Sequence, residues 1–344
     1  MDISANGAAQ LPELPASRIA SGLGAGVGFQ SADGQLPASE QSAGHGHRPF
    51  VLFNPTTRRR AEIVEATLWD NAPGGAAPLK SRSFAVCGPD GDAIAPQVVN
   101  SGSYWGHDFV TLAFPVVVAG LGYARYVIVE EPAVLPAPGA KQIGPALHCW
   151  YAVVEHGEED LENEFLRVAL DIETGGIRSL LDKGTSRYLI QARPGTPPLE
   201  YAAEIPHAMS AWCVDRIGPA EAPTLSALRR TQAGPHKAAI EVDLRIHESN
   251  FTLTFELRAG DPKLYLHLKG VWFQRGTRES GVPTLRFALP LALADAQGSY
   301  EIPFGAIRRT LNQGGEVPAL QWAQVTGNIS SAPAGWPIET TIAS

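Results

Sequence analysis

The sequence predicts an all-β protein built from antiparallel β-sandwiches, on three observations. From Phe50 onward, short β-branched or aromatic runs recur about every ten residues between clusters of Gly, Pro, Asn and Asp. Within runs such as Glu62-Ile63-Val64-Glu65-Ala66-Thr67-Leu68-Trp69, polar and apolar residues roughly alternate, which sets one face on a core and the other in water. Windows with an apolar period of 3.6 are scarce, and 35 glycines with 28 prolines in 344 residues interrupt long helices.

Taken in order, residues 1–47 are rich in Gly, Ala, Ser and Gln with no apolar period, and are expected to form a flexible tail. His45 and His47 close it; two histidines on a Gly-rich segment read as solvated and carry no metal role. A small sandwich is expected over 48–131, with strands at Phe50–Asn54, Ala61–Trp69, Ser81–Cys87, Ile94–Val99, Phe109–Phe114 and Tyr123–Glu130. Gly88-Pro89-Asp90-Gly91-Asp92 and Gly120-Leu121-Gly122 offer the positive-φ glycines that tight turns need. Residues 132–146 hold Pro132, Pro136, Pro138, Pro145, Gly139 and Gly144, a linker composition. A larger β region is expected over 147–344. It opens with a hairpin whose two apolar runs flank Gly175-Gly176, and continues with strands at Ala238–Ile246, Phe251–Arg258, Leu264–Trp272 and Leu285–Leu291, the middle two parted by Gly260-Asp261-Pro262.

Composition narrows the function classes. A formal net charge of −8 gives no pull toward nucleic acid, and the Arg58-Arg59-Arg60 cluster is too short to reverse it. Cys87, Cys149 and Cys213 are odd in number and form no CxxC, so they read as buried thiols rather than a disulfide frame or zinc knuckle. The N-terminus lacks a basic segment followed by an apolar run, so a cytoplasmic location is expected. The most apolar stretch, Phe109 to Val129, is broken by Pro115, Gly120, Gly122 and Arg125, and no membrane span is expected. The sequons at Asn250 and Asn328 then read as chance matches.

Five segments, in order, resemble the C-terminal β-domains of glycoside hydrolase family 38, the retaining α-mannosidases. They are Phe50-Val51-Leu52-Phe53-Asn54-Pro55 with the arginines after it, Ala119-Gly120-Leu121-Gly122-Tyr123-Ala124-Arg125-Tyr126, and Leu161 to Val168 with Thr174-Gly175-Gly176-Ile177 and Asp182-Lys183. Ile205-Pro206-His207-Ala208-Met209-Ser210-Ala211-Trp212 and Tyr300 to Arg309 complete the set. The resemblance implies an antiparallel β-sandwich followed by a larger, galactose-mutarotase-like β-supersandwich. It also implies chemistry carried on a preceding β/α domain, with an aspartate nucleophile, a carboxylic acid partner and a zinc held by histidines and aspartates. None of the nine histidines begins a His-x-Asp, and a strand-helix alternation is missing. No catalytic residue, metal ligand or cofactor is therefore assigned here. Zinc is expected in the missing domain, and the chain is expected to be inactive alone. Its end near Trp336-Pro337-Ile338-Glu339-Thr340, where the family continues with strands, makes an incomplete large sandwich and a gene fragment the expectation.

The resemblance offers His207, Trp212, Phe304, Gly305 and Arg309 as carbohydrate-contact candidates. Trp105, Trp212, Trp272 and Trp322 can stack on sugar rings, with core packing as the plainer alternative. A structural salt bridge is the alternative for Arg309. Glu155, Glu158, Glu159, Asp160, Glu162 and Glu164, with His156 among them, could bind a cation, but lack the spacing of a calcium loop and read as a solvated edge; Glu162 and Asn163 are expected to fix a strand start. His207 and His267 would be the acid and base of a mutarotase-like reaction. Three functions follow: the C-terminal part of an α-mannosidase-like hydrolase, a stand-alone carbohydrate-binding module, or a sugar 1-epimerase. The partners expected are a mannose-containing glycan and either a separate catalytic domain or a second copy joined through unpaired strand edges, with neither nucleic acid nor membrane.

Overall fold

A computed structural model describes residues 47–70, 79–104, 107–130, 159–209, 214, 217–310, 316–329 and 337–343. The expected tail up to residue 46, the linker 132–146, and Trp105, Cys149, Glu155, His156, Glu158, Trp212 and Cys213 lie outside the described residues. What is described is 64% strand and 1% helix, in antiparallel sheets, and is an all-β fold. The chain divides into two compact units.

The first unit holds β1 (His47–Asn54), β2 (Arg60–Asp70), a 3-10 turn at Leu79–Ser81, β3 (Phe84–Cys87), β4 (Ala93–Ile94), β5 (Gln97–Tyr104), β6 (His107–Val118) and β7 (Gly122–Glu130). Two sheets, ordered β1-β7-β3-β4 and β2-β6-β5, share one core: Leu68, Val110, Leu112, Phe114, Val116 and Val118 face Val86, Ala124, Tyr126 and Ile128 across it. The apolar stretch weighed as a membrane span is thus β6 and β7, an inner strand of each sheet. No described helix is long and apolar enough to cross a membrane.

Pro115 is tolerated inside β6 because β5 pairs with it only as far as Ala113, leaving 114–118 hydrogen-bonded to β2 alone. On that open side, the Val117 N–H donates to the Tyr126 hydroxyl at 2.8 Å. Asn54, almost fully buried, closes the β1–β2 connection: its Nδ2 donates to the carbonyls of Arg58, Val118 and Ala119, and its Oδ1 accepts from Thr56 N–H. The Asn-Pro of the family-like segment is therefore a structural clasp.

This unit also takes in Gln232–Ala238 and Arg258–Asp261. The Gln97 amide is saturated there. Its Oε1 accepts from the backbone of His236 and Lys237 at 3.0 and 2.8 Å, and its Nε2 donates to Lys237 O and Gln232 Oε1. Four bonds on one buried amide specify a single arrangement.

The second unit contains β8 (Asp160–Glu162), β9 (Leu166–Leu170), β10 (Ile177–Asp182), β11 (Arg187–Gln191), β12 (Leu199–Glu204), β16 (Leu264–Val271), β17 (Val282–Phe287), β18 (Leu293–Ile302), β19 (Gly305–Thr310), β20 (Trp322–Ile329), β21 (Pro337–Ala343) and, apart from the end residues given to the first unit, β13 (Thr224–Ala233), β14 (Lys237–Ile246) and β15 (Ser249–Arg258). The sheet orders are β11-β10-β9-β8, β12-β17, β13-β14-β15-β16 and β19-β18-β20-β21. Alternation is sharpest on β15, where Phe251, Leu253, Phe255 and Leu257 are buried. Ile240, Val242, Leu244 and Ile246 do the same on β14. Glu162 and Asn163 fix the start of β9 as expected: Asn163 Oδ1 accepts from the N–H of Phe165 and Leu166, and Lys183 Nζ donates to Glu162 and to Asn163 O.

Several boundaries differ from expectation. Ser81–Cys87 begins as 3-10 turn, and Ile94–Val99 splits into β4 and β5 at Ala95-Pro96, where proline has no N–H to give a ladder. The strand expected at Leu285–Leu291 is displaced to Val282–Phe287, ahead of Pro290. Glycines take the left-handed turn positions at Gly91, Gly175 and Gly260, with φ of 83°, 74° and 76°. At 120–122 it is Leu121, φ 49°, that does so; Gly120 is needed for another reason, since a Cβ there would lie 2.3 Å from Thr57 O.

Candidate functional site

The site candidates all fall in the second unit, on three separate features. The first is the β18–β19 hairpin. Ile302 pairs with Gly305, so the turn residues are Pro303 and Phe304, one position earlier than a Phe-Gly turn would place them. Proline suits the first turn position, but the second, at φ 66°, ordinarily takes glycine. Phe304 occupies it with its side chain wholly in solvent. Gly305 is ordinary strand backbone with open space where a Cβ would be. Arg309 stands opposite Gly298, several residues from the tip. Its Nη1 donates to Pro318 O at 2.8 Å and its guanidinium lies 5.6 Å from the Tyr300 ring centre. Those contacts hold the base of the hairpin.

The second feature is the segment leaving β12. The His207 Nδ1 accepts the Met209 N–H at 3.2 Å, which leaves Nε2 to donate to Glu204 Oε1 at 3.0 Å. Glu204 is buried and His207 is partly so. Both imidazole nitrogens are thereby used in shaping residues 204–209. The other histidine weighed for proton transfer, His267, lies on β16 with its ring parallel to Tyr265 at 6.4 Å.

The third feature was only partly visible in the sequence. Tyr201 on β12, His247 in the β14–β15 turn and Trp272 just past β16 converge: His247 meets Tyr201 edge-on at 5.0 Å, and Trp272 lies 6.1 Å from Tyr201 and 6.0 Å from Phe251. Tyr201 exchanges backbone bonds with Glu221, whose Oε2 lies 3.3 Å from His247 Nε2. His247 has φ 52°, another left-handed non-glycine. Trp272 was weighed for sugar stacking, but Tyr201, His247 and Glu221 were not. They are distant in sequence, and no spacing rule joins them.

Several charged groups elsewhere are paired locally. Arg229 bridges Glu241 and Asp243, and that bond, reinforced by Thr252, holds the Asp243 carboxyl below its ordinary range despite partial burial. Asp160 and Glu162, from the acidic run, face Arg167 and Lys183. Among the described residues, no three His, Cys, Asp or Glu side chains converge as a metal site. Cys87 is a free, half-buried thiol whose pKa burial pushes up.

None of the curated proteins matches the chain closely enough to serve as a relative. A family model does match, over residues 161–330, from β8 through β20: that of the glycosyl hydrolases family 38 C-terminal domain. Residues 161–330 are thus a glycosyl hydrolases family 38 C-terminal domain.

Proposed function

We propose that this chain is the C-terminal β portion of an α-mannosidase-like glycoside hydrolase, giving walls and support to a mannoside cleft while the bond-breaking groups, and the zinc, belong to a β/α catalytic domain. The family match laid over the sheets of the second unit carries this reading. The chemistry agrees with it. Retaining hydrolysis needs a carboxylic acid with a raised pKa and a second carboxylate about 5 Å away. Asp243 and Glu241 are instead clamped to one guanidinium, with Asp243 shifted down. In this reading Phe304 is the sugar-facing residue of the β18–β19 hairpin, Gly305 and Arg309 set the hairpin's shape, and His207 positions the segment that leads to Trp212.

Hydrolysis of a p-nitrophenyl α-mannoside by the purified chain, with and without zinc or cobalt, tests the division of labour. No turnover is expected. Turnover that persists through repurification and follows the protein would overturn it.

A further inference from the structure

The Tyr201–His247–Trp272 cluster has two properties that packing alone does not explain. It is open: Trp272 keeps 38% of its surface exposed, and the His247 and Glu221 side chains keep 46% and 57%. It is also held at the cost of backbone strain. His247 and Glu248 form the two-residue turn between β14 and β15, and the first turn position, at φ 52°, is one where glycine is favoured. A β-carbon in the left-handed region is disfavoured, and such strain persists where the surroundings over-determine it. Here the surroundings are specific. The turn puts the imidazole edge-on against Tyr201 and its Nε2 beside Glu221, and Arg245 Nε secures the turn by donating to His247 O at 2.9 Å.

We propose that Tyr201, His247, Trp272 and Glu221 form a second carbohydrate site, separate from the β18–β19 hairpin, that takes a single hexopyranose unit. A pyranose has an apolar C–H face for an aromatic ring and a rim of hydroxyls, each both donor and acceptor. The cluster offers ring surface at Trp272 and Tyr201, with an acceptor at Glu221 and an imidazole N–H at His247 beside it. A quaternary ammonium would also favour aromatic faces beside a carboxylate, and choline in the titration below is the ligand that distinguishes it. A purely apolar partner would strip water from the exposed Glu221 and His247 side chains without replacing its hydrogen bonds. The proposal rests on the reading that this chain handles sugars, and not on which part of the enzyme hydrolyses them.

The test is calorimetric titration of the full chain with methyl α-mannoside, methyl α-glucoside and choline, using wild type, Glu221→Gln, His247→Gly, Trp272→Ala and Phe304→Gly. Wild type is expected to bind a methyl hexoside with a Kd on the order of millimolar. Glu221→Gln and His247→Gly should each weaken that binding about tenfold. His247→Gly separates binding from folding, because glycine suits the left-handed position and the variant should melt no lower than wild type. Sugar binding that Phe304→Gly abolishes and the other variants spare would overturn this proposal and leave the hairpin reading in place. Binding of choline alone, or of neither sugar, would overturn it as well. The α-mannoside hydrolysis assay stands apart from all of these outcomes.

Discussion

Phe304 and His247 hold the same kind of backbone conformation for different returns. Phe304 buries nothing, so its φ of 66° is strain without packing in this chain. Phe304→Gly should therefore raise stability, by about 1 kcal/mol, since the left-handed penalty for a residue with a β-carbon is about 1–2 kcal/mol. A rise in the urea midpoint would show this; a fall would mean that the ring packs against something in solution. Gly175 is the opposite case. Its φ is 74° and a Cβ would lie 2.2 Å from Val242 Cγ1, so Gly175→Ala is expected to cost about 2 kcal/mol or more. Gly305→Ala, with open space and ordinary backbone, should fall within about 0.5 kcal/mol of wild type in the same experiment. The sequence showed glycines at the turns near 175 and 305 but none at His247-Glu248, and it did not show which residue would take the left-handed position, because that depends on where strand pairing stops.

At the scale of elements, β6 shows how a rule and its exception coexist. Its apolar alternation was legible, and Val110, Leu112, Phe114, Val116 and Val118 are buried as the period requires. The strand was expected to stop at Phe114; β6 instead runs on through Pro115, which a strand paired on both sides would not accept, because β5 pairing ends at Ala113. The Val117 N–H on that open side depends on Tyr126, a strand away. Tyr126→Phe should cost about 1 kcal/mol, the net loss of a hydrogen bond at a partly buried donor. An unchanged unfolding free energy would mean that water replaces the hydroxyl. Asn54→Ala, which strips partners from three carbonyls at the β1–β2 connection, should lower stability by at least as much.

Across the molecule, the two units should respond to acid in different windows. In the first, His236 is buried with Nε2 donating to Ala95 O at 2.8 Å, and Nδ1 has no partner among the described residues. Burial pushes its pKa below the ordinary 6.5, with the Ala95 bond opposing. The unfolded chain thus takes up the proton first, so this stability is complete above pH 6.5 and is lost as the pH falls through the folded pKa. In the second unit, burial raises the Asp171 carboxyl, but backbone bonds from Gly195, Glu173 and Thr174 outweigh it and hold it below 3.8; Arg229 does the same for Asp243. Their contribution is complete above 3.8 and disappears below it. Stability followed by urea titration across pH should fall in two stages, and His236→Asn should remove the upper one. A single transition insensitive to that substitution would refute the assignment.

What the sequence determined by itself is the class of fold, most of the strands and the family of residues 161–330. Alternation, turn residues and segment order are local properties, readable without knowing what packs on what. Tertiary structure decided the rest: the sheet each strand joins, the position of the hairpin tip at Phe304, the use of both His207 nitrogens within its own segment, and the meeting of Tyr201, His247 and Trp272. These depend on register and on cross-strand neighbours, and a shift of one residue would exchange every side chain between the faces of a sheet.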